Sequence, residues 1–141
     1  MLDLPGIRLA LANQLATIET AGGNLRTYAT VPGSVNPPAA VVKPSRGNFV
    51  SYQQTFDGAA DLNLDVIVLV ATGSDRTGQA DLDAYLSTDT ASSVWACVQA
   101  SPTLGGAVSY AYVDRASSYG LMAYNGVEYL ACIFTVIVGA P

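Results

Sequence analysis

Histidine is absent from this chain of 141 residues, and charged residues are scarce. Asp, Glu, Lys and Arg make up 12% of the sequence, about half of their usual share in a soluble domain. Without histidine the chain lacks the commonest general base, the commonest metal-binding side chain and every Ser-His-Asp or Cys-His arrangement. The composition therefore predicts a protein that is not an enzyme and that has no cofactor or metal.

Positive charge is the scarcer sign, with 6 basic residues against 11 acidic ones and a net charge of -5. Proteins that hold phosphate backbones neutralise them with Lys and Arg, so specific nucleic-acid binding is not expected. A surface with few charges is instead typical of a subunit that buries surface in an assembly.

Two cysteines, Cys97 and Cys132, stand in apolar stretches and are too few for a disulfide framework. They are predicted to be buried thiols in a reducing compartment. No apolar run approaches the ~18 residues of a membrane-spanning helix, and the first residues lack the pattern of a signal peptide. We therefore expect no membrane association.

The first segment has the period of an amphipathic helix. Asp3 is placed to cap its start, Pro5 is tolerated in its first turn, and the glycines at 22 and 23 are expected to end it. Its apolar stripe consists of Leu4, Ile7, Leu11, Leu15 and Ile18.

The rest of the chain alternates short strands with two further helices. Asn125-Gly126 predicts a two-residue hairpin turn, and the strand after it, apolar on both faces, is expected at the sheet centre. Residues 50–56 are expected to pair antiparallel with 62–70 through a turn at 57–60. Helices are predicted at 75–86, capped by Ser74, and at 94–100, capped by Ser92 or Ser93. Strands are predicted at 25–31, 39–42, 50–56, 62–70, 107–113, 119–124 and 127–138, with a loop at 43–48.

This order predicts a single α+β domain over residues 1–141. A mixed or antiparallel sheet is expected, with the N-terminal helix and the two further helices packed on one of its faces.

No catalytic or ligand-binding motif stands out in the sequence. Asp81 and Asp83 could begin a calcium loop, but Leu86 and Ser92 occupy the positions where that loop needs Gly and Glu. Solvated side chains on a helix explain the two acids better. The glycine pairs at 22–23 and 105–106 do not follow a strand and open a helix, so they are interpreted as turns.

Tyrosine is unusually frequent, with eight residues. Half-buried tyrosines in a sheet are one interpretation, and a protein–protein interface is the other, because interfaces are rich in Tyr and poor in charge. A stacking surface for nucleic acid needs a basic groove, and only Arg115 is near the Tyr110–Tyr129 cluster in sequence. The proline-rich residues 31–44 are either a stiff crossover or an extended arm that docks on a neighbour.

Four stretches together resemble a known family: residues 31–42 (VPGSVNPPAAVV), residues 74–76 (SDR) with Gln79 and 82–86 (LDAYL), residues 92–94 (SSV), and residues 126–130 (GVEYL). In order and spacing they are similar to the small tail terminator proteins of long-tailed phages, especially those that infect actinobacteria. The similarity extends over nearly the whole chain. No single motif is diagnostic, because the motifs are structural.

The resemblance implies a protein of the virion, assembled in the host cytoplasm and located at the head-proximal end of the tail. Six copies would form a ring that caps the tail tube, ends its polymerisation and presents a joining surface to the head-completion connector. The implied partners are further copies of the chain, the tail tube protein and the connector protein. DNA would pass through the lumen without specific binding.

Exposed sheet edges are templates for pairing between chains, so ring contacts are expected on the strand at 50–56, on the proline-rich region 32–44 and on the strand of Tyr110 and Tyr112. Alternatives remain open: a stopper or other head-completion protein, another minor tail protein, a small ligand-binding domain, or a hydrolase without histidine. The candidate interface residues are Pro32, Val35, Asn36, Pro37, Pro38, Arg46, Tyr52, Gln54, Phe56, Tyr110, Tyr112 and Arg115.

Overall fold

The computed structural model describes residues 3–20, 23–30, 33, 38–45, 49–52, 60–72, 76–124 and 126–140. The helices are α1 (Leu4–Leu15), α2 (Arg76–Leu86) and α3 (Val94–Ala100), followed by a short 3-10 turn at Leu104–Gly106. The strands are β1 (Glu19–Thr20), β2 (Gly23–Asn24), β3 (Arg26–Tyr28), β4 (Ala39–Pro44), β5 (Val50–Tyr52), β6 (Ala60–Thr72), β7 (Tyr110–Tyr124) and β8 (Val127–Ala140).

Six of these strands form one mixed sheet in the order β3-β4-β6-β8-β7, with β5 pairing with one end of β6. The β3–β4 pair is parallel and the other pairs are antiparallel. β1 and β2 form a separate two-stranded ladder. The predicted α+β fold with a mixed sheet, an N-terminal helix and two further helices is therefore confirmed.

Helix α1 begins as predicted and ends earlier than predicted. The carboxylate of Asp3 accepts a hydrogen bond from the Gly6 amide at 3.2 Å, which satisfies one free donor of the first turn. The helix ends at Leu15, not at the glycines 22 and 23. Its last turn tightens into three-residue hydrogen bonds, with Thr17 N donating to Gln14 O and Ile18 N to Leu15 O.

Pairing between strands sets the boundaries of β4, β5 and β6, since β4 and β5 pair with β6 and β6 pairs with β8. β4 continues through Lys43 and Pro44, where a loop was predicted, because both residues pair with β6. The strand predicted at 25–31 is reduced to β3, and β6 extends beyond 62–70 at both ends. The predicted antiparallel pairing of β5 with β6 is confirmed, while residues 53–59 lie outside the described part.

The prediction of two strands at 107–113 and 119–124 was wrong, because the structure has one long strand, β7, along β8. Two register shifts, at 113–115 and at 117–120, absorb the polar residues that made the sequence look like a loop. Ser118 takes a positive φ of 59° inside the second irregularity. The predicted hairpin is confirmed by the Tyr124–Val127 pair, and β8 is paired on both sides.

All three helices pack on one face of the sheet, which we call the covered face. Alternate side chains of β6 and β8 join residues of α1, α2 and α3 there in one apolar core. Ser93 caps α3 by accepting a hydrogen bond from the Ala96 amide at 3.0 Å. The opposite face, which we call the open face, has a smaller apolar cluster to which no described helix contributes: Ala39, Val41, Ile67, Leu69, Tyr129 and Ala131.

Candidate functional site: the open face and its edge

Strand register builds a polar row across the open face. Lys43 pairs with Asp65, Asp65 with Thr135, and Thr135 with Arg115, so one row crosses β4, β6, β8 and β7. The next row along the strands is apolar on β4, β6 and β8, where it contains Val41, Ile67 and Ile133. Two-residue alternation places all of these side chains on the same face.

The open face is concave. Side chains of β4 and β7, which two strands separate in the sheet, line the same concavity of about 850 Å³. Ser45 Oγ donates to Asp65 Oδ1 at 2.7 Å, and Arg115 Nε donates to Asp114 Oδ2 at 2.8 Å. Lys43 makes no ion pair with any residue that the structure describes. The concavity therefore combines an aliphatic floor with charges of both signs.

Tyrosines line one end of the open face. Tyr28 on β3 and Tyr124 on β7 both pack against its apolar cluster, although their strands lie at opposite sides of the sheet. Burial, and then the nearby phenols of Tyr28 and Tyr129, raise the pKa of Tyr124. The phenol is therefore neutral at physiological pH and contributes packing area and hydrogen bonding, with no charge.

Tyr110 and Tyr112 form an exposed pair at the start of β7. Their ring centroids are 6.2 Å apart with an angle of 22° between the planes, and their exposed fractions are 42% and 43%. Tyr110 Oη donates to Asp61 Oδ1 at 2.8 Å, and this hydrogen bond raises the pKa of Tyr110. The Tyr110 ring lies across Gly139, where a Cβ atom would collide with it. A glycine at this position thus makes room for the ring.

β7 is an edge strand, and no strand among the described residues pairs with its outer side. Free main-chain donors and acceptors on such an edge can pair with another chain. No charged residue occurs between Arg115 and Glu128, and Tyr119, Leu121 and Val127 are exposed there. Long uncharged edges are uncommon on monomers because they invite association, so this edge is the candidate interaction surface.

The sequence-based candidates divide into three groups. Tyr110, Tyr112 and Arg115 are brought together on the open-face side of β7. Pro38 is half-buried just before β4, two strands beyond β8, and Tyr52 lies in β5. The remaining candidates lie outside the described residues: Pro32, Val35, Asn36, Pro37, Arg46, Gln54 and Phe56.

Part of the proposed contact region 32–44 is not available for contact. Residues 39–42 are completely buried in β4, between β3 and β6. Sequence reasoning also missed the exposed residues Tyr119, Leu121 and Val127 at the hairpin. The absence of charge between 115 and 128 was the signal that could have identified them.

Asp81 and Asp83 are exposed on α2, as expected for helix side chains in solvent. Asp83 Oδ1 accepts a hydrogen bond from Tyr119 Oη at 3.1 Å, which ties α2 to β7. In the described ranges, no group of three or more His, Cys, Asp or Glu residues is arranged to hold a metal ion. None of the helices in those ranges is long and apolar enough to cross a membrane.

The two cysteines take part in packing. Cys132 is buried in the covered-face core, and burial raises its pKa to about 12. Cys97 is only partly buried, so the prediction of two buried thiols holds for Cys132 alone. Cys97 Sγ donates to Gln14 O at 3.1 Å and Gln14 Nε2 donates to Cys97 O at 2.8 Å, which joins α3 to α1. Burial also raises the pKa of Cys97 and so disfavours its thiolate.

Comparison with known proteins gives no matching family model and no curated protein of significant sequence similarity.

Proposed function

We propose that this protein is a structural subunit of a phage tail, a tail terminator that forms a ring on the end of the tail tube. In this role it ends tube polymerisation and offers the surface to which the head is joined. The proposal combines the resemblance in sequence with an α+β subunit whose β7 edge has no pairing strand among the described residues and no charged residue from Ala116 to Tyr124. That edge is the observation that carries the proposal.

Ring formation follows physically from an edge of this kind. A contact between two different surfaces of identical subunits closes into a ring when the rotation between neighbours divides a full turn. Each closed contact removes an exposed edge and buries side chains such as Tyr110 and Tyr112. The net charge of -5 per chain would make DNA pass through the ring without being retained.

The test is the molar mass in solution, measured by light scattering after size exclusion, with and without purified tail tubes. We expect a species of six times 14.6 kDa, or a ring seen by electron microscopy at one end of each tube. A protein that stays monomeric in both conditions and leaves tube ends uncapped contradicts the proposal. Binding to purified heads but not to tubes would favour a head-completion protein.

A small ligand-binding domain is the second candidate function, because the concavity of about 850 Å³ lies within the ~300–1,000 Å³ range of ligand sites. Its aliphatic floor and the ammonium of Lys43 suit an apolar anion. The dye 8-anilinonaphthalene-1-sulfonate tests this directly: saturable fluorescence that Thr135→Trp abolishes by filling the concavity supports a ligand site. Equal dye binding by the variant argues against it.

A further inference from the structure

Charge is distributed unevenly across the sheet. At the β3 side, Arg26 is exposed on β3, and Arg8 lies on α1, which packs on β3 and β4. Arg26 makes no ion pair with any described residue, and Arg8 Nε is buried without a hydrogen-bond partner there. We call Arg8 and Arg26 the basic edge.

The other side of the sheet is acidic. Asp83 on α2 is joined to the edge strand β7 through Tyr119, and Glu128 is exposed at the start of β8. The one described cation on β7, Arg115, is paired with Asp114 at 2.8 Å, so it does not offset these two acids. We call Asp83 and Glu128 the acidic edge.

The two edges are complementary to each other and not to themselves. If two copies met through the same edge, Arg would face Arg or acid would face acid, and like charges opposite one another disfavour a contact. Contact between unlike edges brings opposite charges together. This arrangement selects a head-to-tail contact over a two-fold symmetric dimer, and head-to-tail contacts are the kind that generate rings.

We propose that the basic edge of one copy docks on the acidic edge of a second copy, with Arg8 and Arg26 facing Asp83 and Glu128. The inference rests on the proposed function, because it specifies the contact from which the ring is built. Tyr119, which is hydrogen-bonded to Asp83, and Leu121, which is exposed two residues further along β7, supply the apolar centre of the contact. The charges around that centre set orientation and partner choice more than total affinity.

Charge reversal tests the contact. Arg26→Glu and Asp83→Lys should each weaken association about tenfold or more, because each places like charges opposite one another. One change lowers the net charge by two and the other raises it by two, so a general effect of net charge cannot explain both losses. The double variant Arg26→Glu/Asp83→Lys should restore assembly, since every junction then carries the reversed pair.

Asp81→Lys is the matched control. Asp81 is exposed on the same helix and changes charge by the same amount, but it is two residues from Asp83 and so faces the other side of α2. This variant should assemble like the unmodified chain. Circular dichroism of each variant checks that the fold is retained, and recovery in the double variant separates a broken contact from a broken fold.

The readout is the oligomer mass in solution and, with tubes present, the number of copies bound at each tube end. If the unmodified chain assembles and both single variants assemble equally well, or the double variant fails to recover, the proposed contact is wrong while the terminator function stands. If the unmodified chain remains monomeric with and without tubes, the proposed function is wrong and the contact falls with it.

Discussion

The two faces of the main sheet differ in how their apolar side chains are kept from water. On β6 the covered face presents Leu62, Leu64, Val66 and Val68, all completely buried beneath helices. On the open face the same strand presents first Asn63 and Asp65, which are half-buried, and then Ile67 and Leu69, which are buried. No helix among the described residues covers Ile67 and Leu69.

Side chains from the edge strands explain this difference. Tyr28 on β3 and Met122 and Tyr124 on β7 pack against the cluster that contains Ile67 and Leu69. The polar half of the face remains open and forms the concavity. A single sheet can thus bury apolar residues on both faces, one against helices and one against its own edge strands.

Truncation of a core side chain should give the largest difference in unfolding free energy between the two faces. Leu64→Ala on the covered face should cost about 3 kcal/mol of unfolding free energy, because the rigid layer of helices leaves a cavity. Ile67→Ala on the open face should cost about 2 kcal/mol or less, because the space that it opens joins the concavity and admits water. Urea unfolding of both variants measures the difference. Equal losses would mean that the open face is packed as tightly as the covered face.

The second largest difference between the faces should be the loss of stability at alkaline pH, which we expect from buried groups of the covered face. Burial raises the pKa of Cys132 from 9.0 to about 12, so stability is complete below pH 9 and falls as the pH rises towards 12, because the unfolded chain loses the proton first. The slope is about 1.4 kcal/mol per pH unit for one group. Urea unfolding at pH 8, 9, 10 and 11 should show this fall. Cys132→Ala should reduce it between pH 9 and 10, and the remainder should come from Cys97, whose pKa burial also raises.

A second buried group adds to the fall in stability above pH 10. Burial and then the charge of Asp81 raise the pKa of Tyr85 from 10.0 to about 12, so part of the fall should persist in Cys132→Ala until Tyr85→Phe is added. Tyr110→Phe on the exposed open-face edge is the matched control, and it should leave the profile almost unchanged. A profile equally sensitive to Tyr110→Phe would contradict the distinction between the faces.

The elements that depend on local signals could be predicted from the sequence. The helical period of the first segment, the Ser93 cap and the Asn125-Gly126 turn each act over a few residues, and α1, α3 and the β7–β8 hairpin lie where they were expected. The end of α1 was misplaced because tight hydrogen bonds after Leu15 stop the helix before the glycines do.

The features that depend on pairing between distant residues could not be predicted. Residues 114–118 resemble a loop in sequence, and only the register with β8 makes them part of one strand. The concavity is lined by side chains of four strands, of which β4 and β7 are distant in sequence, and the hydrogen bond from Tyr119 to Asp83 joins residues 36 positions apart. For the candidate surface, two-residue alternation placed Tyr110 and Tyr112 on one face, but the sequence could not show that Arg115 shares it, because a register shift lies between Val113 and Arg115.

The smallest expected effect is a change in the pKa of a single side chain, Tyr110, at the edge of the open face. In Gly139→Ala the new Cβ atom collides with the Tyr110 ring, which is exposed and can rotate away. The hydrogen bond to Asp61 is then lost, so the pKa of Tyr110 should fall towards its ordinary value, while stability changes by less than about 1 kcal/mol. Titration of ¹³C-labelled tyrosine by NMR, with the Tyr110 signal assigned through Tyr110→Phe, measures the pKa.

Gly33→Ala is the control, since a Cβ there meets no atom within 4 Å. An unchanged Tyr110 pKa in Gly139→Ala would show that Tyr110 keeps its hydrogen bond to Asp61 without its ring lying across Gly139. Close packing would then order this edge less than it orders the covered face.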